Sequence, residues 1–180
     1  MDVLVTVGMS PWRFDRLVSA AGLLAGEHAV FVQTGTAEVE PACPFAPYLP
    51  YQALLERITA ADVVVTHAGN TVRLVQRAGK VPIAVAREAA RREMSNDHQV
   101  EFLLREQAVG RVVPVWDVAR LPAAVREHPA RERELLGARP LSPIAEPQWL
   151  GDTVDAVCAR LTRQRPRRAT RASGVPGSHR

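Results

Sequence analysis

Three short segments combine glycines, small polar side chains and histidines at places where apolar runs of the chain end. Gly8-Met9-Ser10 follows the first run, Thr66–Thr71 (THAGNT) follows a later one, and Asn96–Gln99 (NDHQ) follows another after a polar loop. Glycine lets a ligand approach the backbone closely, and the free N–H groups at a helix start favour an anion. The amide and carboxylate groups of NDHQ suit sugar hydroxyls, so the pattern predicts a phosphorylated, hydroxyl-bearing ligand.

Each segment also has a purely structural interpretation. The Gly8 turn is neither a GxGxxG fingerprint nor a P-loop, because no Gly-Lys-Ser/Thr follows it. His67 could be a strand-end histidine with satisfied hydrogen bonds, and Asn70 could be only a helix cap. Asn96 and Gln99 have the spacing of a capping box. Taken singly, none of the three segments identifies a function.

The elements that would position these segments are visible as short, valine-rich runs separated by helical patterns. The predicted strands are Val3–Val7, Ala29–Gln33, Asp62–Thr66, Pro82–Ala86 and Val112–Trp116. Strands that are apolar on both faces and alternate with helices indicate a parallel sheet covered on both sides. We therefore predict an α/β fold, a Rossmann-like parallel sheet with helices on both faces. Ligands of such sheets bind at the carboxyl ends of the strands.

Helix boundaries are predicted from capping and stop signals. Ser10-Pro11 has the form of an N-cap followed by a first helical residue, and that helix is expected to end near Gly22 or Gly26. Asn70-Thr71 is expected to cap a helix that stops at Gly79. The segment 38–50, which carries four prolines, is predicted to be an irregular loop before a helix over residues 52–60.

The 180 residues, of which 47% are hydrophobic and 23% charged, suit one domain with extensions. We predict a Rossmann-like domain over residues 1–128, a C-terminal extension over 129–162 with a helix near 148–161, and a disordered Arg-rich tail over 163–180. Cys43 and Cys158 have no metal-binding spacing, so neither a zinc site nor a disulfide scaffold is expected.

The formal net charge of +4 belongs to the predicted tail. Six of the 23 basic residues and no acidic residue lie in 163–180, which leaves 17 basic against 19 acidic residues elsewhere. The tail could contact nucleic acid or anionic lipid, or be solvated without a specific role. No signal peptide or run of ~20 apolar residues is present, so we expect a cytoplasmic protein.

Together, in this order and at these spacings, the three segments resemble the C-terminal, donor-binding domain of glycosyltransferase family 28. The resemblance extends from about Val3 to Leu121 through VTVGMSPWRFDRLV, FVQTG, THAGNTVRLVQRAGKVPIAVAR and NDHQ. It looks closest to short proteins made of this domain alone, namely the soluble catalytic subunit of the dolichol-pathway GlcNAc transferase and bacterial exopolysaccharide transferase subunits. The resemblance implies the C-terminal half of a GT-B fold.

The resemblance also implies an activity and roles for nine residues. The activity is UDP-sugar-dependent hexosyl transfer to a polyprenyl-linked acceptor in polysaccharide biosynthesis, without a cofactor. A membrane-anchored subunit would bind the acceptor and hold this chain at the inner face of the membrane. Donor diphosphate would be bound by Gly8, Ser10, His67, Gly69, Asn70 and Thr71. Donor sugar would be bound by Asp97, Gln99 and Arg87.

One departure from the family pattern bears on the activity. Relatives usually carry a ribose-binding glutamate on the helix after the HAG segment, where this chain has Leu74, although Gln76 could compensate. A non-catalytic nucleotide-sugar-binding subunit is therefore the alternative. A receiver domain would need acidic residues where Gly8-Met9 and His67-Ala68 stand, and nucleic acid is not the partner we expect.

Overall fold

The computed structural model describes residues 1–138 and Leu141. These residues contain a six-stranded, all-parallel sheet with the strand order β3-β2-β1-β4-β5-β6. The strands are β1 (Asp2–Thr6), β2 (Ala29–Gln33), β3 (Phe45–Ala46), β4 (Val63–His67), β5 (Ile83–Val85) and β6 (Val113–Pro114). This is the doubly wound Rossmann-type order, in which the chain direction across the sheet reverses between β1 and β4. The predicted fold class is confirmed.

Helices cover both faces of the sheet. They are α1 (Asp15–Gly22), α2 (Tyr51–Ala60), α3 (Asn70–Arg77), α4 (His98–Ala108) and α5 (Leu121–Ala138), with short 3-10 turns at Leu23–Gly26, Ala89–Arg91 and Val118–Arg120. The predicted helix near 148–161 and the predicted tail over 163–180 lie outside the described residues.

Alternate residues of each central strand explain why helices are needed on both faces. Val3 and Val5 of β1 belong to a buried cluster with residues of α1 and α5, including Leu17 and Val125. Leu4, between them, faces the opposite side and packs in a cluster with residues of α2 and α3. Strands buried on both faces have no polar alternation, which is the pattern that the sequence displays.

The edge strand β3 was not predicted, because its segment carries four prolines. Proline lacks an N–H group, but its carbonyl can still accept a hydrogen bond. Val32 N–H donates to the Pro44 carbonyl at 3.0 Å, and Thr34 N–H donates to the Ala46 carbonyl at 3.0 Å. A strand with one neighbour needs hydrogen bonds on one side only, so prolines are tolerated there.

The predicted helix starts are wrong by one to several residues. α1 begins at Asp15 rather than at Pro11, with the buried Phe14 at its N-cap position. α3 has Gly69 at its N-cap position, and no side chain caps it. Two packing effects outweigh the capping preferences. Phe14 is fully buried at the start of α1, and at the start of α3 the His67 ring leaves no room for a side chain on residue 69.

The capping box predicted at Asn96 and Gln99 is also wrong. α4 begins at His98, and Asn96 Oδ1 accepts a hydrogen bond from the His98 backbone N–H at 3.2 Å. The Gln99 side chain does not accept the capping-box hydrogen bond from the Asn96 backbone N–H. Its Oε1 accepts from the backbone N–H of Arg87 at 3.1 Å instead.

Helix α5 runs from Leu121 to Ala138 and continues through Pro129. The helix is held on both sides of the proline. His128 Nε2 hydrogen-bonds the Val81 carbonyl at 2.7 Å, and Glu132 Oε1 accepts from the Val81 backbone N–H at 2.7 Å. These contacts and the burial of Leu121 and Val125 outweigh the one helical hydrogen bond that a proline removes.

The only lysine in the sequence stabilises the end of α2. Lys80 Nζ donates to the carbonyls of Ile58, Thr59 and Ala61 at 2.9, 2.6 and 2.5 Å. A cation with three donors suits the unpaired carbonyls and the negative end of a helix. Burial lowers the pKa of Lys80, against the opposing effect of Glu132 and Asp62.

We predict that Lys80→Met lowers the free energy of unfolding by about 1–3 kcal/mol, because carbonyls bound to a charged donor lose it. Arg77→Met, an exposed position of α3, is the matched control and is expected to change it by less than about 0.5 kcal/mol. Urea denaturation at neutral pH measures both. Equal losses would contradict this role for Lys80.

Candidate functional site

The three sequence segments meet at one cavity of about 570 Å³. It lies at the carboxyl ends of β1 and β4, where the strand order reverses and where ligands of doubly wound sheets bind. Its volume is within the range of about 300–1,000 Å³ that is usual for small-molecule sites. Seven of the nine predicted site residues line it: Gly8, Ser10, His67, Gly69, Asn70, Thr71 and Gln99.

The imidazole of His67 is packed between two glycines. A Cβ added to Gly8 would lie 2.6 Å from His67 Cε1, and one added to Gly69 would lie 2.5 Å from His67 Nε2. Gly8 also has a φ of +77°, which side-chain-bearing residues rarely adopt. The glycines of the two turns are therefore required by the ring between them, and together they fix the floor of the cavity.

Gln33, which the sequence analysis did not select, holds the Gly8 turn. Its Oε1 accepts from Thr6 Oγ1 at 2.7 Å and from Gly8 N–H at 3.0 Å. Its Nε2 donates to the carbonyls of Gly8 at 2.9 Å and Pro47 at 2.7 Å. Two of the four hydrogen bonds of this buried amide hold Gly8, and the other two reach Thr6 of β1 and Pro47 in the loop before α2. A polar residue ending the apolar strand β2 was the available signal.

Arg87 lies beneath the cavity rather than on its surface. Its side chain is 1% exposed, stacks over the Phe14 ring at 4.6 Å and donates from Nη2 to the Val7 carbonyl at 2.9 Å. Nε and Nη1 make no hydrogen bond within the part of the chain that the structure describes. Burial lowers the pKa of Arg87 to about 10, which keeps it charged at neutral pH.

His67 brings no positive charge to the cavity at neutral pH. Its pKa is lowered to about 4: burial is the largest cause, the positive charge of Arg87 acts in the same direction, and a hydrogen bond with the Thr6 backbone opposes both effects. A neutral imidazole next to a buried guanidinium is the electrostatically favoured arrangement. His67 therefore acts on the cavity through its shape and its neutral ring nitrogens.

Asp97 is exposed and does not line the cavity among the described residues. Its Oδ1 accepts from the backbone N–H of Ala89 at 2.8 Å, which closes the polar loop before α4. Gln99, two residues later, is buried and does line the cavity. With Oε1 engaged by Arg87 N–H, the Nε2 group of Gln99 is the end that can donate to a ligand.

Two groups of side chains line the cavity on either side of the α3 start. One, here called the α2 arm, consists of Leu49, Tyr51, Leu54 and Leu74; the other, the α4 arm, consists of Met94, His98, Gln99 and Phe102. Leu54 and Leu74 pack against the core under α2, whereas Phe102 packs against the core under α4. Sequence patterns assign such residues to the core, so these walls were not predicted.

Gln76 does not take the place of the glutamate that the family resemblance leads one to expect. Its Oε1 accepts from Arg73 Nη1 at 2.9 Å, and its Nε2 donates to Glu106 Oε2 and the Arg111 carbonyl at 3.0 Å each. This buried network joins α3 to α4. Leu74 lines the cavity and Gln76 is not among its lining residues in the described chain, so the suggested compensation is wrong.

A second cavity, of about 680 Å³, lies near the amino ends of β1 and β2. Although it is larger, it lies at the edge of the sheet opposite to the carboxyl ends of the strands, where ligands of doubly wound sheets bind. The smaller cavity, at the start of α3, is therefore the better candidate for a phosphorylated ligand.

A comparison with known protein families finds no matching family model, and a comparison with curated proteins finds no sequence match. Within residues 1–138, no helix is long and apolar enough to cross a bilayer. No group of three or more histidine, cysteine or acidic residues in the same part of the chain is placed to hold a metal ion. A function for this chain must therefore be argued from the cavity and its residues.

The packing of His67 predicts that alanine substitution destabilises the protein more at Gly8 than at Gly79, although both glycines have a similar φ. Gly8→Ala is expected to lower the free energy of unfolding by about 2–4 kcal/mol, from a positive φ plus a clash with the ring. Gly79→Ala, at φ +76° with no atom within 4 Å of the added Cβ, is expected to cost only about 1 kcal/mol. Thermal and urea denaturation measure the free energy of unfolding of both variants. Equal losses would contradict the packing of His67 against Gly8.

The lowered pKa of His67 predicts a pH dependence of stability. The unfolded chain binds the proton first, near pH 6.5, so stability is full above that value and falls as pH drops toward about 4. Between pH 7.5 and 5.0 the wild type is expected to lose about 2 kcal/mol more than His67→Gln. Urea titrations at both pH values measure the difference, since carboxylate effects are common to both proteins. Equal losses of stability in the wild type and in His67→Gln would contradict a buried, neutral imidazole at this position.

Proposed function

We propose that this chain is the nucleotide-sugar-binding subunit of a glycosyltransferase. It would transfer a hexosyl group from a UDP-sugar to a lipid-linked acceptor, with a membrane-anchored partner that supplies the acceptor-binding half. The observation that carries the proposal is the convergence of residues 8–10, 67–71 and 98–99 on one cavity at the switch point of the sheet. The same segments carry the resemblance to the donor-binding domain of glycosyltransferase family 28.

A diphosphate fits the polar floor of this cavity. The backbone N–H groups of Asn70 and Thr71 belong to the first turn of α3, where no preceding helical carbonyl is available to them. They and the Thr71 hydroxyl can donate to phosphate oxygens, and the helix start favours negative charge. The buried charge of Arg87 adds to the positive potential from behind His67.

The donor sugar fits the α4 arm. The Gln99 amide and the His98 imidazole are the polar groups of this wall, and both can hydrogen-bond hydroxyls. Catalysis would then consist of holding the donor and stabilising the departing nucleoside diphosphate through backbone N–H groups. The group that activates the acceptor hydroxyl would belong to the partner.

The second candidate is a subunit that binds the nucleotide sugar without catalysing its transfer. The observation that favours it is the lack of a lysine or arginine among the described residues that line the cavity, together with the neutral state of His67. The two candidates differ in one experiment on the reconstituted complex. If His67→Ala and Gln99→Ala both leave sugar transfer unchanged, catalysis resides elsewhere.

Calorimetry with UDP and UDP-hexoses tests donor binding by the chain and by its complex with the membrane protein that co-purifies with it. Thr71→Val is expected to weaken binding about tenfold or more, since it removes a hydroxyl donor to a charged phosphate. Thr59→Val is the matched control, because Thr59 lies on the exposed side of α2, outside the cavity, and its hydroxyl donates to the Leu55 carbonyl within the same helix. Absence of UDP-sugar binding by chain and complex alike would refute the proposal.

A further inference from the structure

The two arms of the cavity differ in polarity, which orients a bound nucleotide sugar. The α4 arm carries the His98 imidazole and the Gln99 amide beside Met94 and Phe102, whereas the α2 arm carries three leucines and the Tyr51 ring. A hexose is covered with hydroxyl groups, while a nucleobase has two flat, apolar faces. With the diphosphate at the start of α3 between the arms, the hexose suits the α4 arm and the nucleoside suits the α2 arm.

The pentose of such a nucleoside would lie next to Leu74. This residue is one helical turn beyond Asn70 on α3, so it is the next cavity-facing position after the diphosphate-binding residues. Leu54 of α2 also lines the cavity and packs against the same buried cluster as Leu74. Tyr51, which is 57% exposed, stands at the outer end, where an aromatic ring can stack on a base.

Beyond Asn70 and Thr71, which we assign to the diphosphate, the polar side chains of α3 near Leu74 are Arg73 and Gln76, and both are committed to other contacts. Arg73 forms an ion pair with Glu106 at 2.6 Å, and the Gln76 amide bonds Glu106 and the Arg111 carbonyl. In Rossmann-type sites that select ribose, an acidic side chain typically binds the 2′-hydroxyl. Here, among the described residues of the α2 arm, the surface offered to the pentose is that of leucine side chains.

We propose, on the basis of the function proposed above, that the α2 arm binds 2′-deoxyribonucleoside diphosphate sugars as well as ribonucleoside diphosphate sugars. A site that hydrogen-bonds a hydroxyl rejects the analogue that lacks it, whereas an apolar wall distinguishes the two poorly. The ligand class is thus defined by the diphosphate and the hexose, with the nucleoside held by apolar contact.

Calorimetry with UDP and 2′-deoxy-UDP, which differ by one hydroxyl, tests this on the wild-type chain. The two dissociation constants are expected to agree within about threefold, and UDP binding more than about thirtyfold tighter would overturn the inference while leaving the proposed function standing. If neither nucleotide binds to the chain or its complex, the proposed function fails, and this inference fails with it.

The position of the pentose can be tested with a substitution that is expected to make the site select UDP over 2′-deoxy-UDP. Leu74→Glu is expected to favour UDP over 2′-deoxy-UDP by about tenfold or more, because a carboxylate would then meet the ribose hydroxyls. Leu104→Glu, at an exposed position of α4 outside the cavity lining, is the control and is expected to leave the ratio unchanged. An unchanged ratio in folded Leu74→Glu would place the pentose elsewhere and overturn the inference.

Discussion

The site depends on the packing of one imidazole against the backbones of two turns. His67 lies so close to Gly8 and Gly69 that neither position has room for a Cβ atom. This contact couples the end of β1 to the start of α3, the two sides of the switch point in the sheet. Gln33 secures Gly8 through two hydrogen bonds and ties it to Thr6 and Pro47 through two more, and Arg87 reaches the same region through the Val7 carbonyl. The cavity floor is therefore rigid before any ligand arrives, which lowers the entropic cost of binding.

The electrostatics of the site follow from the same packing. Burial, and after it the positive charge of Arg87, keeps His67 neutral, so the guanidinium remains the charged group. Arg87 contributes to the potential of the cavity without occupying space in it. Together with the start of α3, it offers an anion a fixed positive region in which the direct contacts are backbone N–H groups. Such preorganised donors suit a diphosphate that gains charge as it departs.

Much of the fold and the convergence of the site could be predicted from the sequence. Valine-rich runs buried on both faces gave five of the six strands, and the parallel sheet then brought Gly8, His67 and Gln99 to one edge. Local signals failed where tertiary packing decided the outcome: Phe14 displaced the start of α1, and Gln99 bonded Arg87 instead of closing a capping box. The walls of the cavity were not predictable, because cavity-lining leucines follow the same helical periodicity as core leucines.

We propose that a nucleoside diphosphate binds at the start of α3 beside the Gly8 turn. Titration of the ¹⁵N-labelled chain with UDP, followed by amide chemical shifts, tests it most directly. Binding there should cause saturable chemical-shift changes of the Gly8, Gly69 and Thr71 amides, while the shifts of amides around Cys43 and Arg57 in the second cavity stay unchanged. Shifts confined to the second cavity, or no shifts at saturating UDP, would contradict it.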